Sequence, residues 1–313
     1  MLSRIAESLF WLNRYEERSE GMLRLMRTNY VLSLDKGPSE MNSWLPLLEI
    51  FSNKSYVEQI KLAANHQEVI KHLLIDPENN NSLIANLTKA RENARGMQDH
   101  ITKEVWEQVN YLYHLINSKS IVQNLEENKQ LHTIEHLQKN CLLYTGIADS
   151  TMPRSLSWCF MNLGKYIERS ILTIDILEKH YAGIDFDLKK EKDILHWRNL
   201  LFSVSGYEFH LKNYRSNDSS FNVAHQIIFN EQFPHSLFYS LTRIKKYLEN
   251  AVDENKIKNK QTIIKEFGRI YSNVEFTDLE WINKIGMSIY LQTSKYNLIQ
   301  FTNSLSQTFF SYS

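Results

Sequence analysis

An eight-residue block occurs twice in this chain, and it restricts the fold more than any other feature. The early copy reads Leu12-Asn13-Arg14-Tyr15-Glu16-Glu17-Arg18-Ser19 and the late copy Leu163-Gly164-Lys165-Tyr166-Ile167-Glu168-Arg169-Ser170. Each has Leu, a basic residue, Tyr and then Glu-Arg-Ser at the same spacing. The environment built around one copy must therefore have a counterpart around the other. Further echoes keep the same order: Trp44-Leu45-Pro46-Leu47-Leu48 with Trp197-Arg198-Asn199-Leu200-Leu201, and Asn80-Asn81-Ser82-Leu83 with Pro234-His235-Ser236-Leu237. The expectation is an all-α fold, a multi-helix bundle of two pseudo-symmetric helical repeats, about 1–150 and 151–313, within a single domain over 1–313.

Periodicity fits a helical chain. Leu2, Ile5, Leu9, Leu12, Leu23, Met26 and Tyr30 recur at three- and four-residue spacing, and Trp11, Tyr15, Arg18, Met22 and Leu25 form a second stripe. A helix apolar on two faces belongs in the interior. Its predicted stop is Gly37-Pro38. Helices are then predicted over 41–51, 56–75, from Ser82 onward with a break at Thr102–Glu104, over 121–145, and over 154–181. Loops are predicted at Asp76–Asn81 and Asp149–Pro153. Thr277-Asp278-Leu279-Glu280 reads as a capping box for one final helix to about Phe310. Only nine glycines and five prolines are present, too few for the turns of a β-rich chain.

Charge excludes several classes. Thirty-six basic residues balance 36 acidic ones, so there is no basic footprint for nucleic acid or anionic lipid. No apolar run approaches a membrane span. Arg4, Glu7 and Arg14 interrupt any signal-peptide core. Cys141 and Cys159 fit no metal or redox spacing and read as buried thiols of a reducing compartment. The expected location is the cytoplasm.

Neighbouring helical residues point about 100° apart, so Glu17 and Arg18 face different partners. Two arrangements are open. In one, the copies answer each other, Arg18 with Glu168 and Arg169 with Glu17, in bidentate pairs. In the other, Glu17 pairs locally with Arg14 and Glu168 with Lys165. Arg91, Glu92, Asn93 and Arg95 form the densest polar cluster. It reads either as an anion-binding patch or as a structural network with Glu17, Glu168 or Asp149. Ser150 or Thr151 is expected to cap the second Glu-Arg helix. His132-Thr133-Ile134-Glu135-His136 matches an inverted zinc-protease pattern, but it lies in a polar helix without a third ligand, and no metal is expected. Phosphate-loop, nucleophile-elbow and di-iron signatures are absent, no cofactor is expected, and no catalytic residue is assigned.

The opening Met1-Leu2-Ser3-Arg4-Ile5-Ala6-Glu7-Ser8-Leu9-Phe10-Trp11-Leu12 with the first Glu-Arg resembles the bacterial Alpha-E family. So do the segments Trp44–Leu48, Asn80–Arg95 with Trp106, Glu107 and Asn110, and Gly146–Met152 with Trp158 and the second Glu-Arg. Asn13, where the family usually has Gly, and Gln98, where a basic residue is common, depart from the pattern. The resemblance implies an accessory or interaction protein associated with an ATP-grasp ligase and a transglutaminase-like protein, in peptide modification or amide-bond formation. The alternative is an enzyme whose Glu/Arg cavity takes a carboxylate or phosphate substrate.

Overall fold

The computed structural model describes residues 3–36, 44–190, 194–214, 219–255 and 260–311. Among them are sixteen α-helices and no strand. They are α1 (Ser3–Lys36), α2 (Leu45–Phe51), α3 (Tyr56–Ala63), α4 (His66–Leu74), α5 (Leu83–Arg95), α6 (Lys103–Ile116), α7 (Lys119–Glu126) and α8 (Gln130–Thr151). The series continues with α9 (Leu156–Ala182), α10 (Ile194–Ser203), α11 (Tyr207–Asn213), α12 (Ser219–Phe229), α13 (Leu237–Asn255), α14 (Lys260–Glu275), α15 (Leu279–Ile285) and α16 (Met287–Phe309). The chain divides into two compact units, an early one of Trp11–Pro153 and a late one of Arg154–Ser313 with Met1–Phe10.

In the early unit α5 packs on α6, and α6 on α8. The core there includes Leu12, Leu23 and Met26 of α1, each fully buried. In the late unit α13 packs on α9 and α14, and α14 on α16. Phe10 meets Phe310 with ring centroids 5.3 Å apart, and Phe160 meets Phe309 at 5.2 Å. The sequence echoes have local counterparts. Ser82 caps α5 through Ala85 N–H (3.3 Å), and Ser236 accepts from Tyr239 N–H (2.9 Å) at the start of α13. Both serines are fully buried. Leu47 and Leu48 lie in one core, Leu200 and Leu201 in the other.

Several predicted boundaries move, each for a local reason. The stretch 56–75 is two helices, because the Asn65 side chain accepts from the N–H groups of Gln67 and Glu68 and starts α4 afresh. The predicted loop at Asp149–Thr151 is helical. Ser150 Oγ donates to the Gly146 carbonyl (2.7 Å) and Thr151 Oγ1 to that of Ile147 (2.9 Å), so neither caps α9. α8 stops only at Met152, whose extended backbone is what the following Pro153 requires. Polar residues that suggested a turn are thus accommodated inside a helix by bonding back one turn.

The last predicted helix is also two. Asp278 caps α15 through Trp281 N–H (2.7 Å), and Gly286, at φ 94°, separates α15 from α16. The predicted Gly37-Pro38 stop and the first residues of the predicted 41–51 helix lie outside the described residues. Trp44 precedes α2, with Pro46 in its first turn.

Close packing in the late unit gives a direct test. A Cβ on Gly206 would sit 2.7 Å from Gln226 Nε2 and 2.7 Å from Phe233 Cζ. Both neighbours are buried, and Gln226 already donates to the Gly206 carbonyl (2.9 Å). Gly206→Ala is expected to destabilise the protein by about 1–3 kcal/mol through overpacking. Chemical denaturation reads this, and an unchanged midpoint would contradict the packing.

Candidate functional site

The first Glu-Arg copy lies on α1 within the early unit. Glu17 is 6% exposed, and Arg18 is half-buried. Arg18 Nη1 donates to Asn81 Oδ1 (3.3 Å), in the loop just before α5. Lys89 reaches the same loop, with Nζ donating to the Asn80 carbonyl (2.9 Å) and lying 5.7 Å from the Tyr15 ring centroid. Burial, and then the neighbouring Arg18 guanidinium, lower the Lys89 pKa. Ser19 Oγ donates to the Tyr15 carbonyl (2.7 Å).

The second copy, on α9 in the late unit, is built alike. Glu168 is 4% exposed and Arg169 half-buried. Arg169 Nη1 donates to the Pro234 carbonyl (3.2 Å), in the loop just before α13. Ser170 Oγ donates to the Tyr166 carbonyl (2.8 Å). In each unit the motif arginine therefore reaches the loop that launches the serine-capped helix. Aromatic rings flank the motif arginine of the late copy. Arg169 lies 5.3 Å from the Tyr166 ring, which stacks near-parallel with Tyr247 at 6.1 Å. Burial raises the Tyr166 phenol, against the pull of Arg169.

The predicted polar cluster is part-exposed. Arg91 Nε donates to Asn110 Oδ1 of α6 (2.8 Å), and Arg91 Nη1 meets Glu92 Oε1 (3.1 Å). Its guanidinium lies 4.5 Å from the Tyr113 ring. Arg95 Nη1 lies 3.9 Å from Glu92 Oε2. Glu92 thus stands between the two cations, which relieves their repulsion at i,i+4 spacing. Asn93 donates to the Lys89 carbonyl (2.8 Å), and Asp149 is exposed near the end of α8.

In the HxxEH segment, the His132 and His136 rings are parallel and 6.4 Å apart on an exposed face. Glu135 accepts from Arg27 Nε (3.0 Å). Among the described residues no group of three or more His, Cys, Asp or Glu is placed to hold a metal ion.

Sequence reasoning missed the most polar part of the early interior. Asn13, Glu16, Glu20 and Arg24 are all buried on α1. Glu20 Oε1 lies 3.4 Å from Arg24 Nε and accepts from Gln138 Nε2 (3.3 Å). Tyr144 OH donates to Asn13 Oδ1. Among the described residues neither carboxyl oxygen of Glu16 has a hydrogen-bond partner. Burial pushes its pKa up to about 8, and its charge in turn helps raise Cys141 and Tyr144. The signal was available, since these residues recur at three- and four-residue spacing.

A family model described as a predicted alpha-helical domain with a conserved ER motif matches residues 1–310. The chain belongs to the Alpha-E family. Relatives with matching sequence include uncharacterized proteins of Mycobacterium bovis and Mycobacterium tuberculosis, each 21% identical over 305 residues. Those matches cover 91% of this chain and 34% of each relative, so the chain spans about a third of the length of the curated relatives it matches. No solved structure matches. The dipeptide Glu-Arg occurs in this sequence at Glu17-Arg18 and at Glu168-Arg169. Among the described residues no helix is long and apolar enough to cross a membrane.

Proposed function

We propose that this Alpha-E protein is an accessory or interaction component of an ATP-grasp-associated system that forms amide bonds or modifies peptides, working beside the ligase and a transglutaminase-like protein. One observation carries the reading. The motif carboxylates, Glu17 and Glu168, are 6% and 4% exposed, so each sits within a helical unit and not at an open surface. A general base must come within hydrogen-bond reach of a substrate proton, and interior carboxylates fit a framework better than a turnover site. The length relation to the mycobacterial relatives supports the same view, because there the matching region is joined to about twice its own length of further sequence.

The test is reconstitution with an ATP-grasp ligase and a transglutaminase-like protein of the same genome. The chain is expected to co-purify with the ligase and to raise its ATP-dependent product formation. Arg18→Ala should weaken both effects while helicity is retained, and Glu17→Gln should keep the shape with one charge removed. Equal ligase activity with and without the chain, and no co-purification, would overturn the proposal. Turnover by the isolated chain, abolished by Glu17→Gln, would favour the enzyme reading.

A further inference from the structure

The late unit holds a cavity of about 540 Å³ between α12, the start of α13, the end of α14 and the start of α15. This volume lies within the range of about 300–1,000 Å³ common for small-molecule sites. Its walls are aromatic: Phe221, Phe229 and Phe238, with the His225 imidazole among them. Burial lowers the His225 pKa, and its Nδ1 bonds the Tyr214 hydroxyl (2.9 Å). The polar lining is almost wholly acidic, with Glu231, Glu275 and Glu280 joining Asp278.

Asp278 spends one oxygen on the α15 cap. The other three carboxylates form no ion pair with any described residue, and no described lysine or arginine lines the cavity. Aromatic faces attract a cation through their quadrupole, and unanswered carboxylates attract it by charge. An anionic ligand would meet the repulsion of four carboxylates here, and a purely apolar one would leave the acidic lining without a counter-charge.

We propose that this cavity is a binding site for an organic cation, an ammonium group on an aliphatic stem, seated with its stem against the phenylalanines and its charge at Glu231, Glu275 and Glu280. The chemistry is shared by a free alkylamine and by the side chain of a lysine within a peptide. The site is separate from the Glu-Arg segments and does not depend on the role proposed for them.

The full chain should be titrated by calorimetry with n-butylammonium, with N-acetyl-lysine methylamide, with an acetylated Gly-Lys-Gly amide and, as a neutral isostere, with N-acetyl-norleucine methylamide. At least one of the three cations is expected to bind about tenfold or more tightly than the norleucine compound, a preference that weakens with added salt. Tight binding of n-butylammonium alone identifies a free amine; a further gain with the tripeptide identifies a lysyl side chain. The Glu231→Gln, Glu275→Gln, Glu280→Gln triple variant alters only exposed carboxylates, so circular dichroism should be unchanged while cation binding falls about tenfold or more. Phe229→Leu should weaken the cation more than the neutral isostere. Binding of all three cations no tighter than that of the norleucine compound, retention of cation affinity in the triple variant, or no binding of any cation at millimolar concentration would each overturn the assignment.

Discussion

Glu16→Gln is expected to stabilise the protein at pH 8 and to leave it nearly unchanged at pH 5. In the folded chain burial holds the Glu16 proton up to about pH 8, whereas the unfolded carboxyl releases it near the ordinary value of 4.5. Between those values the folded state carries one proton more than the unfolded state. Stability therefore falls as pH rises through that window, by at most about 1.4 kcal/mol per pH unit, and levels off above it. Glutamine is neutral throughout and fills nearly the same volume. The expected gain at pH 8 is about 3–5 kcal/mol, an upper range because relaxation around the charge reduces it. Urea unfolding of both proteins from pH 5 to pH 8 tests this, below the region where Cys141 and Tyr144, both raised, would ionise. Parallel stability–pH curves for the two proteins would show that Glu16 is already charged in the fold.

Arg24→Ala should be among the most damaging single changes in the early unit. Arg24 is 5% exposed, and its Nε lies 3.4 Å from Glu20 Oε1, one helical turn away. Removing the cation leaves the Glu20 carboxylate buried with Gln138 as a neutral donor. Breaking a buried pair from one side costs about 3–5 kcal/mol. Replacing both residues, as Glu20→Met with Arg24→Met, should recover much of that loss, because well-packed apolar side chains can substitute for a buried pair. Denaturation midpoints of the single and double variants measure the coupling. A mild single variant, or a double variant worse than the single, would show that the pair is not what Arg24 contributes.

How far the sequence speaks differs from element to element. Ser82 and Thr102 are legible as helix starts because a cap is a local bond between a side chain and an N–H three residues on. Asn65 and Gly286 are local signals too, yet they interrupt runs whose apolar period continues across them, and periodicity masks the break. Asp149-Ser150-Thr151 misleads for the opposite reason. The same hydroxyls that start a helix by capping can instead prolong the preceding one by bonding back to Gly146 and Ile147, and composition does not separate the two.

The candidate site divides in the same way. The repeat locates Glu17, Arg18, Glu168 and Arg169, and helical spacing places each arginine on a different face from its glutamate. Spacing does not supply the acceptors, since Asn81 lies 63 residues from Arg18 and Pro234 lies 65 from Arg169. The cavity lined by Phe221, Glu231 and Glu280 leaves no motif at all, because its residues come from four helices and two connections.

By itself, then, the amino-acid order determines the all-helical class, the duplicated motif and several helix starts, because periodicity, caps and proline or glycine breaks act within about one turn of the chain. Only the tertiary structure decides which charged groups lose water. Glu16 and Glu17 are neighbours of one residue type, but Glu16 meets the α8 groups Cys141 and Tyr144 without a donor to bond it. Desolvation depends on what packs over a side chain from elsewhere in the sequence, and that is a property of the folded unit.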